Sequence, residues 1–576
     1  MWLKAGNRVL LTSRPYGLDE AGLRKLGLPQ APLEPLPEPL RNLFVARWFH
    51  ALGKAEQSSG LIATIRERDD LGPLAENPMM LTALCVLWDN GGRLPEDRYQ
   101  LYWRIVDNVL FHRFRDEVRQ REPARARLEV IAHGMHVGDR VSPRESPAAE
   151  ISHLDIDHIL RAFADDDQYN ERGAVGPVAR REELLTRSGL LLPRPGDRAA
   201  FYHLSVQEFL AAERILRTED DLLSVIRARG AVAEWRPTLI FLFAGKIGAK
   251  TPRWGTDLLD RLIAELDRAA VRANPGPAVF IAEALDLCLA KNYAVPEELK
   301  EAFRGVALDA IEDEVELKAR NALALTLGRV GDPRIFDFRD AQDNADLRAY
   351  VEVPAGAYPY GREGRPVEIR EPFSIGRYPV TNQQFAPFIA AGGYVDRQWW
   401  SNKGRAWLEE EKAAEPLYWH DRRWNAPVVG VSFWEAEAFC AWAGGRLPTE
   451  EEWDAAARGP KARVYPWGDT WQGGICNVGE AGLGVTSPVG LFPRARQADR
   501  AIDDLVGNVF EWCASIYEPS TEESRDARSY RDARVLRGGS FKAGGLLARS
   551  HFGFTSNYRD ESIGFRVVYV SPIAGR

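Results

Sequence analysis

Residues 445–453 are Gly-Arg-Leu-Pro-Thr-Glu-Glu-Glu-Trp, a stretch that predicts the start of a helix. A threonine followed three residues later by a glutamate is typical of a capping box, in which each side chain accepts a hydrogen bond from the other residue's backbone N–H. We therefore predict that Thr449 and Glu452 cap a helix. Trp453, in the first turn of that helix, offers a large apolar surface to a core.

Tryptophans and turns mark off the part of the chain around this stretch. Eleven of the 17 tryptophans lie between Trp399 and Trp512, and none lies between residues 260 and 398. After Tyr350 the sequence has short apolar runs separated by glycine and proline, which is typical of short strands and turns. We predict a loop-rich α+β domain over residues 348–576.

Length, composition and charge exclude several classes of protein. A chain of 576 residues is long enough for several domains, and 45% hydrophobic with 27% charged residues is typical of a folded, soluble protein. The formal charge of -8 gives no basic stripe for nucleic acid. There is no long apolar run or signal peptide, so we expect a cytoplasmic protein without a membrane partner. The five cysteines form no C-x-x-C pair, and we expect them to be reduced.

The first 347 residues are predicted to be mainly helical. Residues 189–192 and 199–203 flank a turn and predict a hairpin, followed by a helix from Ser205, which is typical of a winged helix. We place the domain boundaries at 1–125, 126–225 and 226–347. The last of these regions ends in residues 327–334, which resemble the close of a HEAT-type repeat, and we predict a helical spacer.

From Val351 onward the chain resembles the formylglycine-generating enzyme and sulfatase-modifying-factor family, whose members have a variant of the C-type lectin fold. Eight motifs in order carry the resemblance: 353–356, 375–382, 429–436, 445–453, 465–468, 507–512, 536–541 and 563–566. The whole chain is therefore predicted to be multidomain, with helical regions followed by this α+β fold.

The resemblance does not extend to the catalytic cysteines. Family members that oxidise a substrate cysteine use two cysteines shortly after the Gly-Gly-Ser-Phe string, as thiolates that bind copper(I). Here residues 542–548 are Lys-Ala-Gly-Gly-Leu-Leu-Ala, and the last cysteine of the chain is Cys513. We expect no copper and no catalytic residues. The iron-dependent sulfoxide synthases with this fold need a histidine cluster, and His153 and His158 lack that family's spacing.

Calcium is the metal that the resemblance implies, bound by hard oxygen atoms in tight loops. The matching positions of one family site are the carboxylates of Asp504 and Glu511 and the carbonyls of Gly507 and Val509. A second site would use Asn477 and the carbonyl of Val478, although its usual aspartate falls near Ala481. The alternative is that the two carboxylates only accept hydrogen bonds from backbone amides around the turn.

Residues 542–562 have an irregular pattern without a period of 2 or 3.6, as expected of a surface and not of a core. In the fold that the chain resembles this stretch forms the ligand-binding face, and exposed aromatics beside charges are typical of recognition surfaces. The frame around it is also similar to the variable proteins of diversity-generating retroelements. The alternative is an ordinary surface loop. The predicted ligand-binding residues are Lys542, Leu546, Leu547, His551, Phe552, Phe554, Tyr558, Asp560 and Glu561.

Three strings in the N-terminal part, 7–16, 76–82 and 201–212, resemble NACHT-type STAND ATPases. The resemblance implies that Arg14 faces the terminal phosphate, Pro78 packs on adenine and His203 holds the phosphate of the resting nucleotide. Each residue could equally have a structural role. The chain has no G-x-x-x-x-G-K-[ST] loop, so we expect ATP or ADP only if a missing N-terminal segment completes the site.

The sequence therefore favours a bacterial ligand-recognition protein of the STAND signalling type with a non-catalytic sensor domain that binds a protein or another macromolecule. Copies of the chain could associate through the NACHT-like region. One alternative is an enzyme that oxidises cysteine to formylglycine, and another is a calcium-stabilised structural adaptor.

Overall fold

The chain forms two compact units, Met1–Val118 and Arg119–Arg576. The structure is a computed structural model, and it describes residues 36–68, 71–95, 97–138, 144–164, 175–249, 252–336, 338, 350–361, 364–419, 423–518, 532–544 and 551–569.

The described part of the first unit is helical. Its helices are α1 (Glu38–Ala51), α2 (Gln57–Glu67), α3 (Gly72–Ala75), α4 (Pro78–Gly91) and α5 (Arg98–Arg113). Asp97 caps α5, because its carboxylate accepts a hydrogen bond from the Gln100 amide at 2.8 Å. Phe49, Leu61 and Leu84 have no exposed surface and belong to the core of this unit.

The second unit begins with helices around a small sheet. Its first elements are α6 (Arg121–Val137), β1 (Ile151–Ser152), α7 (His153–Ala164), α8 (Pro177–Arg187), β2 (Leu191–Arg194), β3 (Arg198–Phe201), α9 (Leu204–Thr218) and α10 (Leu222–Arg229). The antiparallel sheet has the order β1-β3-β2, and Asp197 has a positive φ in the turn between β2 and β3. The predicted hairpin and the helix after it are confirmed.

In the region predicted to be a spacer, the described residues form the helices α11 (Arg236–Ala249), α12 (Pro252–Ile263), α13 (Arg268–Ala273), α14 (Gly276–Ala290), α15 (Glu297–Glu312) and α16 (Leu317–Val330). Leu323, Ala324 and Leu327 of α16 are fully buried, and they lie at the spacing of one helix face. None of the helices in the described ranges is both long and apolar enough to cross a membrane.

The C-terminal domain combines short strands with short helices. The elements are β4 (Tyr350–Val353), β5 (Gly356–Tyr360), β6 (Arg365–Ile369), β7 (Phe373–Gly376), α17 (Asn382–Ala390), α18 (Asn402–Glu411), α19 (Phe433–Trp442), β8 (Gly445–Arg446), α20 (Glu450–Arg458), β9 (Phe510–Ile516), β10 (Ala533–Arg537), β11 (Phe552–Thr555), β12 (Ile563–Gly564) and β13 (Val568–Tyr569). Two four-stranded sheets have the orders β11-β10-β9-β12 and β4-β7-β13-β8, and β5 pairs with β6.

Local sequence fixes where the helices of this domain begin. The Thr449 side chain accepts from the Glu452 amide at 3.2 Å, and Glu452 accepts from the Thr449 amide at 2.8 Å. The predicted capping box of α20 is therefore confirmed, and Trp453 is 3% exposed, as expected for a core residue. Capping boxes also start α17 at Thr381 and α19 at Ser432.

The last spacer helix is joined to the C-terminal domain by buried polar contacts. Asn425 Nδ2 donates to the Ala324 carbonyl at 2.8 Å and to Asp332 Oδ2 at 3.0 Å. Phe338 lies in the same aromatic core as Phe385 and Phe439. The last spacer helix is therefore in direct contact with the C-terminal domain.

Candidate recognition surface

The C-terminal sheet positions most of the predicted ligand-binding residues. Strand β11 is at the edge of its sheet, and its register pairs Phe552 with Leu536 and Phe554 with Arg534. Residues 542–544, which precede β11, lie near residues 556–562, which follow it, since Lys542 contacts Asp560. Leu546 and Leu547 lie outside the described residues.

Lys542 forms an ion cluster with two acidic residues of the second loop. Its Nζ lies 3.1 Å from Asp560 Oδ1 and 2.9 Å from Glu561 Oε1. Burial acts against ionisation of Asp560, but hydrogen bonds from Ser562 and Lys542 lower the pKa of its carboxyl. The cluster therefore stays charged at neutral pH and ties the two loops together. With two carboxylates around one ammonium, its net charge is negative.

Aromatic residues beside this cluster are only partly available to a ligand. The rings of Phe554 and Tyr558 stack with centroids 4.7 Å apart, and Tyr558 is 40% exposed. Phe552 contacts Phe510 edge to face, and both Phe552 and Phe554 pack against the main core. The predicted aromatic set thus divides into one exposed ring, Tyr558, and two rings that support it.

His551 lies at the surface end of a buried charge network. Its Nδ1 is 2.7 Å from Glu450 Oε1, which also accepts from Arg537 Nη1 at 3.1 Å. Arg537 pairs with Asp454 and lies over the Trp453 ring at 4.9 Å. Burial alone would raise the pKa of Glu450, but the hydrogen bond from His551 and the charge of Arg537 lower it below its usual value. The network fixes His551 against the start of α20.

The two segments predicted to bind calcium are in contact. The Asn508 amide donates to the Asn477 carbonyl at 2.7 Å, and a Cβ on Gly507 would lie 2.4 Å from that oxygen. Glycine at 507, with φ +80, is therefore required for this close approach. Asn477 Oδ1 is buried and has no hydrogen-bond partner among the described residues, so one neutral oxygen is available to a cation.

The two predicted carboxylate ligands differ in their surroundings. Asp504 Oδ2 accepts from the Gly490 amide at 2.6 Å, and burial together with repulsion from Asp503 raises the pKa of Asp504 to about 7. Glu511 accepts from Arg566 at both oxygens, at 2.6 and 2.7 Å, and from Trp453 Nε1 at 2.7 Å. Because Arg566 neutralises it, Glu511 offers no free oxygen in this arrangement.

The cysteines of the chain are all buried. Burial raises the pKa of the Cys440 and Cys513 thiols well above the usual value. Neither residue lies in the stretch 542–548, where the copper-binding family members have their two cysteines. In the ranges that the structure describes, no three His, Cys, Asp or Glu side chains are grouped so that they could hold a metal ion.

Of the predicted nucleotide residues, Arg14 lies outside the described residues. Pro78 is the first residue of α4 and is exposed. His203 is the N-cap of α9, where its Nδ1 accepts from the Ser205 amide at 3.2 Å. Both residues thus lie at the N-terminus of a helix.

Sequence reasoning missed the residues that lie next to the surface and hold it in place. Leu417 and Tyr418 are exposed, and the Leu417 amide donates to the Gly430 carbonyl, whose own amide donates to the Asp560 carbonyl. Arg559, inside the predicted stretch, turns inward toward Glu435 at 3.7 Å. The Ser432–Glu435 pattern of a capping box was a signal for Glu435, but no local pattern pointed to its contact with Arg559.

Comparisons with known proteins identify the C-terminal domain. Residues 337–570 match the model of the sulfatase-modifying factor enzyme 1-like domain. The inactive C-alpha-formylglycine-generating enzyme 2 of Bos taurus is 34% identical over 271 residues, which cover 38% of this chain and 86% of the relative. The formylglycine-generating enzyme of Thermomonospora curvata is 33% identical, covering 36% of this chain and 87% of that enzyme.

Of two further matches, one covers a smaller share of the relative and the other has a lower sequence identity. The hercynine oxygenase of Mycolicibacterium thermoresistibile is 36% identical over 208 residues, which cover 31% of this chain, and the chain spans only 46% of that relative. Among solved structures, Treponema denticola variable protein 1 matches with 17% identity and a TM-score of 0.27, covering 38% of this chain and 94% of that protein.

Proposed function

The chain belongs to the sulfatase-modifying-factor family through its C-terminal domain, and from this premise we propose that the domain recognises a protein ligand without oxidising it. The ligand-binding surface consists of the described residues 542–544 and 551–562. The observation that carries the proposal is the sequence at 542–548, which has no cysteine where the copper-binding members have two. The inactive Bos taurus relative supports a family role without catalysis.

The geometry of the surface supports binding. Tyr558 offers an exposed ring above the Phe554 ring, beside the charges of Lys542, Asp560 and Glu561. Exposed tyrosines beside charged groups are typical of protein interfaces, because one residue supplies both apolar area and a polar end. The ion cluster and the His551 network hold these groups in fixed positions, which lowers the entropy lost on binding.

We extend the proposal to the N-terminal part, as a STAND-type signalling module whose nucleotide switch responds to the ligand. Its support is the set of three motifs and the hairpin and helix that surround His203. For metal, calcium remains a proposal whose support is the unpartnered Asn477 Oδ1 and the buried Asp504 carboxyl.

The alternative function is oxidation of cysteine to formylglycine, and its support is the 33% identity to the Thermomonospora curvata enzyme. The test is to incubate purified protein with copper(I) and a Cys-x-Pro-x-Arg peptide and to follow aldehyde formation by mass spectrometry. We expect no aldehyde, while the Thermomonospora curvata enzyme as positive control converts the peptide. Conversion by this chain would contradict the proposal.

A second experiment tests directly whether the surface binds a protein ligand. A photo-crosslinking amino acid replaces Tyr558, and in a matched control it replaces Arg253, which is exposed on the spacer helix α12. We expect one protein to crosslink at 558 and not at 253, and to bind the purified chain with a Kd that rises at least tenfold in Tyr558→Ala. Equal crosslinking at both positions, or an unchanged Kd, would contradict recognition through this surface.

A further inference from the structure

The loop 556–562 connects β11 to β12 and carries part of the proposed surface. Tyr558 and Glu561 are exposed on it. Backbone contacts attach the loop to Gly430 and to the first residue of α19, because the Gly430 amide donates to the Asp560 carbonyl and the Phe433 amide donates to the Ser556 carbonyl, both at 3.0 Å.

Arg559 points from this loop into the domain. Its side chain is 14% exposed, and its guanidinium lies 5.4 Å from the centroid of the Trp407 ring. Its Nη2 is 3.4 Å from Glu411 Oε2, and its Nη1 is 3.7 Å from Glu435 Oε1. Trp407 and Glu411 both belong to α18, so this one side chain connects the loop to α18 and to the start of α19.

Glu435 is fully buried at the start of α19. Its Oε2 accepts from the Ser432 amide at 2.7 Å and from the Ser432 hydroxyl at 2.8 Å, and its Oε1 accepts from the Tyr394 hydroxyl at 2.8 Å. These donors are neutral, and Arg559 is the cation that the structure places against this carboxylate. A buried carboxylate is costly without a counter-charge.

We propose that Arg559 is a positioning residue, which fixes the 556–562 loop for recognition by pairing with ionised Glu435, so that protonation of Glu435 loosens the loop. The inference rests on the proposed function, because it concerns the same surface. The physical basis is electrostatic, because Arg559 is attracted to Glu435 only while the Glu435 carboxylate is ionised.

The acidity of Glu435 places this event near neutral pH. Burial raises the pKa of Glu435 to about 7, against the hydrogen bond from the Ser432 amide and the charge of Arg559, which lower it. The charged and titratable groups that face Glu435 are Tyr394 and Arg559. Glu411 acts on it through Arg559, and Glu415 lies beside Tyr394. Glu435 is thus mostly ionised at pH 8, where Arg559 faces a charged partner, and mostly neutral at pH 6.

Hydrogen–deuterium exchange of the full chain tests the proposal without a ligand. Three amides report on the loop. The Tyr558 amide donates to the Thr555 carbonyl, the Ile563 amide donates to the Asp560 carbonyl, and the Ser562 amide donates to Asp560 Oδ1. After correction for the intrinsic pH dependence of exchange, we expect peptide 556–563 to exchange about tenfold faster at pH 6 than at pH 8. Glu435→Gln should exchange fast at both values, since glutamine can keep the capping box but carries no charge.

Arg559→Gln should behave like Glu435→Gln, and Arg559→Lys should restore part of the protection at pH 8. The matched control is Arg253→Gln, which removes an exposed arginine from the spacer and should leave the loop unchanged. If Arg559→Gln unfolds the domain, the exchange of Glu435→Gln alone tests the positioning proposal. Wild-type protection and pH dependence in Glu435→Gln would overturn the proposal.

The two proposals fail separately. Unchanged exchange in Glu435→Gln would remove the positioning role of Arg559 and leave recognition by the surface untouched. Copper-dependent oxidation of the peptide would instead remove the non-catalytic recognition role, whatever the exchange rates of the loop.

Discussion

At the residue scale, burial decides the chemistry of the ionisable groups in this protein. Glu511 and Arg566 are both fully buried and pair through two hydrogen bonds, so a carboxylate that the sequence predicts as a metal ligand is neutralised by an arginine. Cys513, a few positions away, is equally buried and has a raised pKa. Burial away from water thus favours an ion pair for Glu511, which has Arg566 beside it, and the neutral thiol for Cys513.

Buried histidines make the stability of the second unit depend on pH. His136 contacts the Ala132 carbonyl and the Thr238 hydroxyl, both at 2.9 Å, and burial lowers its pKa to about 4. The unfolded chain then binds a proton near pH 6.5 that the folded chain does not bind. The contribution of His136 to stability is therefore constant above about pH 6.5 and falls as the pH decreases from there toward 4.

We expect His136 to account for a loss of about 2 kcal/mol of unfolding free energy between pH 7.5 and pH 5. The measurement is urea unfolding at both pH values for wild type and His136→Gln. The variant is expected to lose less stability than wild type on acidification. His158, which is exposed on α7, gives the matched control His158→Gln, and its pH profile should follow wild type. Equal acid sensitivity in all three proteins would contradict the prediction.

At the element scale, helix starts were predictable and helix contacts were not. The capping box of α20 depends on residues three apart, so the sequence around Thr449 was sufficient to predict it. The contact between α16 and the C-terminal domain depends on Gly328, where a Cβ would lie 2.5 Å from Asn425 Oδ1. Nearly a hundred residues separate these two positions, and no periodicity links them.

Two glycine-to-alanine variants in neighbouring helices separate packing from helix propensity. We expect Gly328→Ala to destabilise the second unit by about 1–3 kcal/mol, because the added methyl group overlaps Asn425. Gly305 on α15 is exposed, and a Cβ there would meet nothing within 4 Å, so Gly305→Ala should stabilise by up to about 1 kcal/mol. Urea unfolding midpoints measure both, and shifts of the same sign would count against the packing explanation.

At the scale of the whole molecule, the spacer and the C-terminal domain form parts of one compact unit. Arg496 of the domain pairs with Glu312 of α15 at 3.0 Å, and Gln384 donates to the Phe336 carbonyl at 3.0 Å. A displacement of the domain would therefore disturb the spacer helices directly. The sensor role that we propose requires such direct contacts, because binding at the surface has to affect the rest of the second unit.

Calcium is expected to stabilise this unit if the contacting segments around Asn477 and Asp504 hold it. At one hundred times its Kd, calcium would add about 2.7 kcal/mol, which calorimetry detects as a raised melting temperature that a chelator reverses. Asp504→Ala should abolish the calcium dependence, whereas Asp532→Ala, at an exposed carboxylate paired with Lys403, should retain it. Melting that is insensitive to calcium and chelator would remove the proposal.

The sequence alone determined the family motifs, the capped helix starts, the hairpin before α9 and the lack of cysteines at 542–548, because each depends on residue types or on neighbours a few positions apart. It also led to the prediction of a ligand-binding surface over residues 542–562. Only the tertiary structure decided which side chains of that surface face outward, that Arg559 turns toward Glu435, and that Glu511 meets Arg566. These pairs join distant parts of the chain, and a charged side chain pairs in the interior only where the fold places an opposite charge within reach.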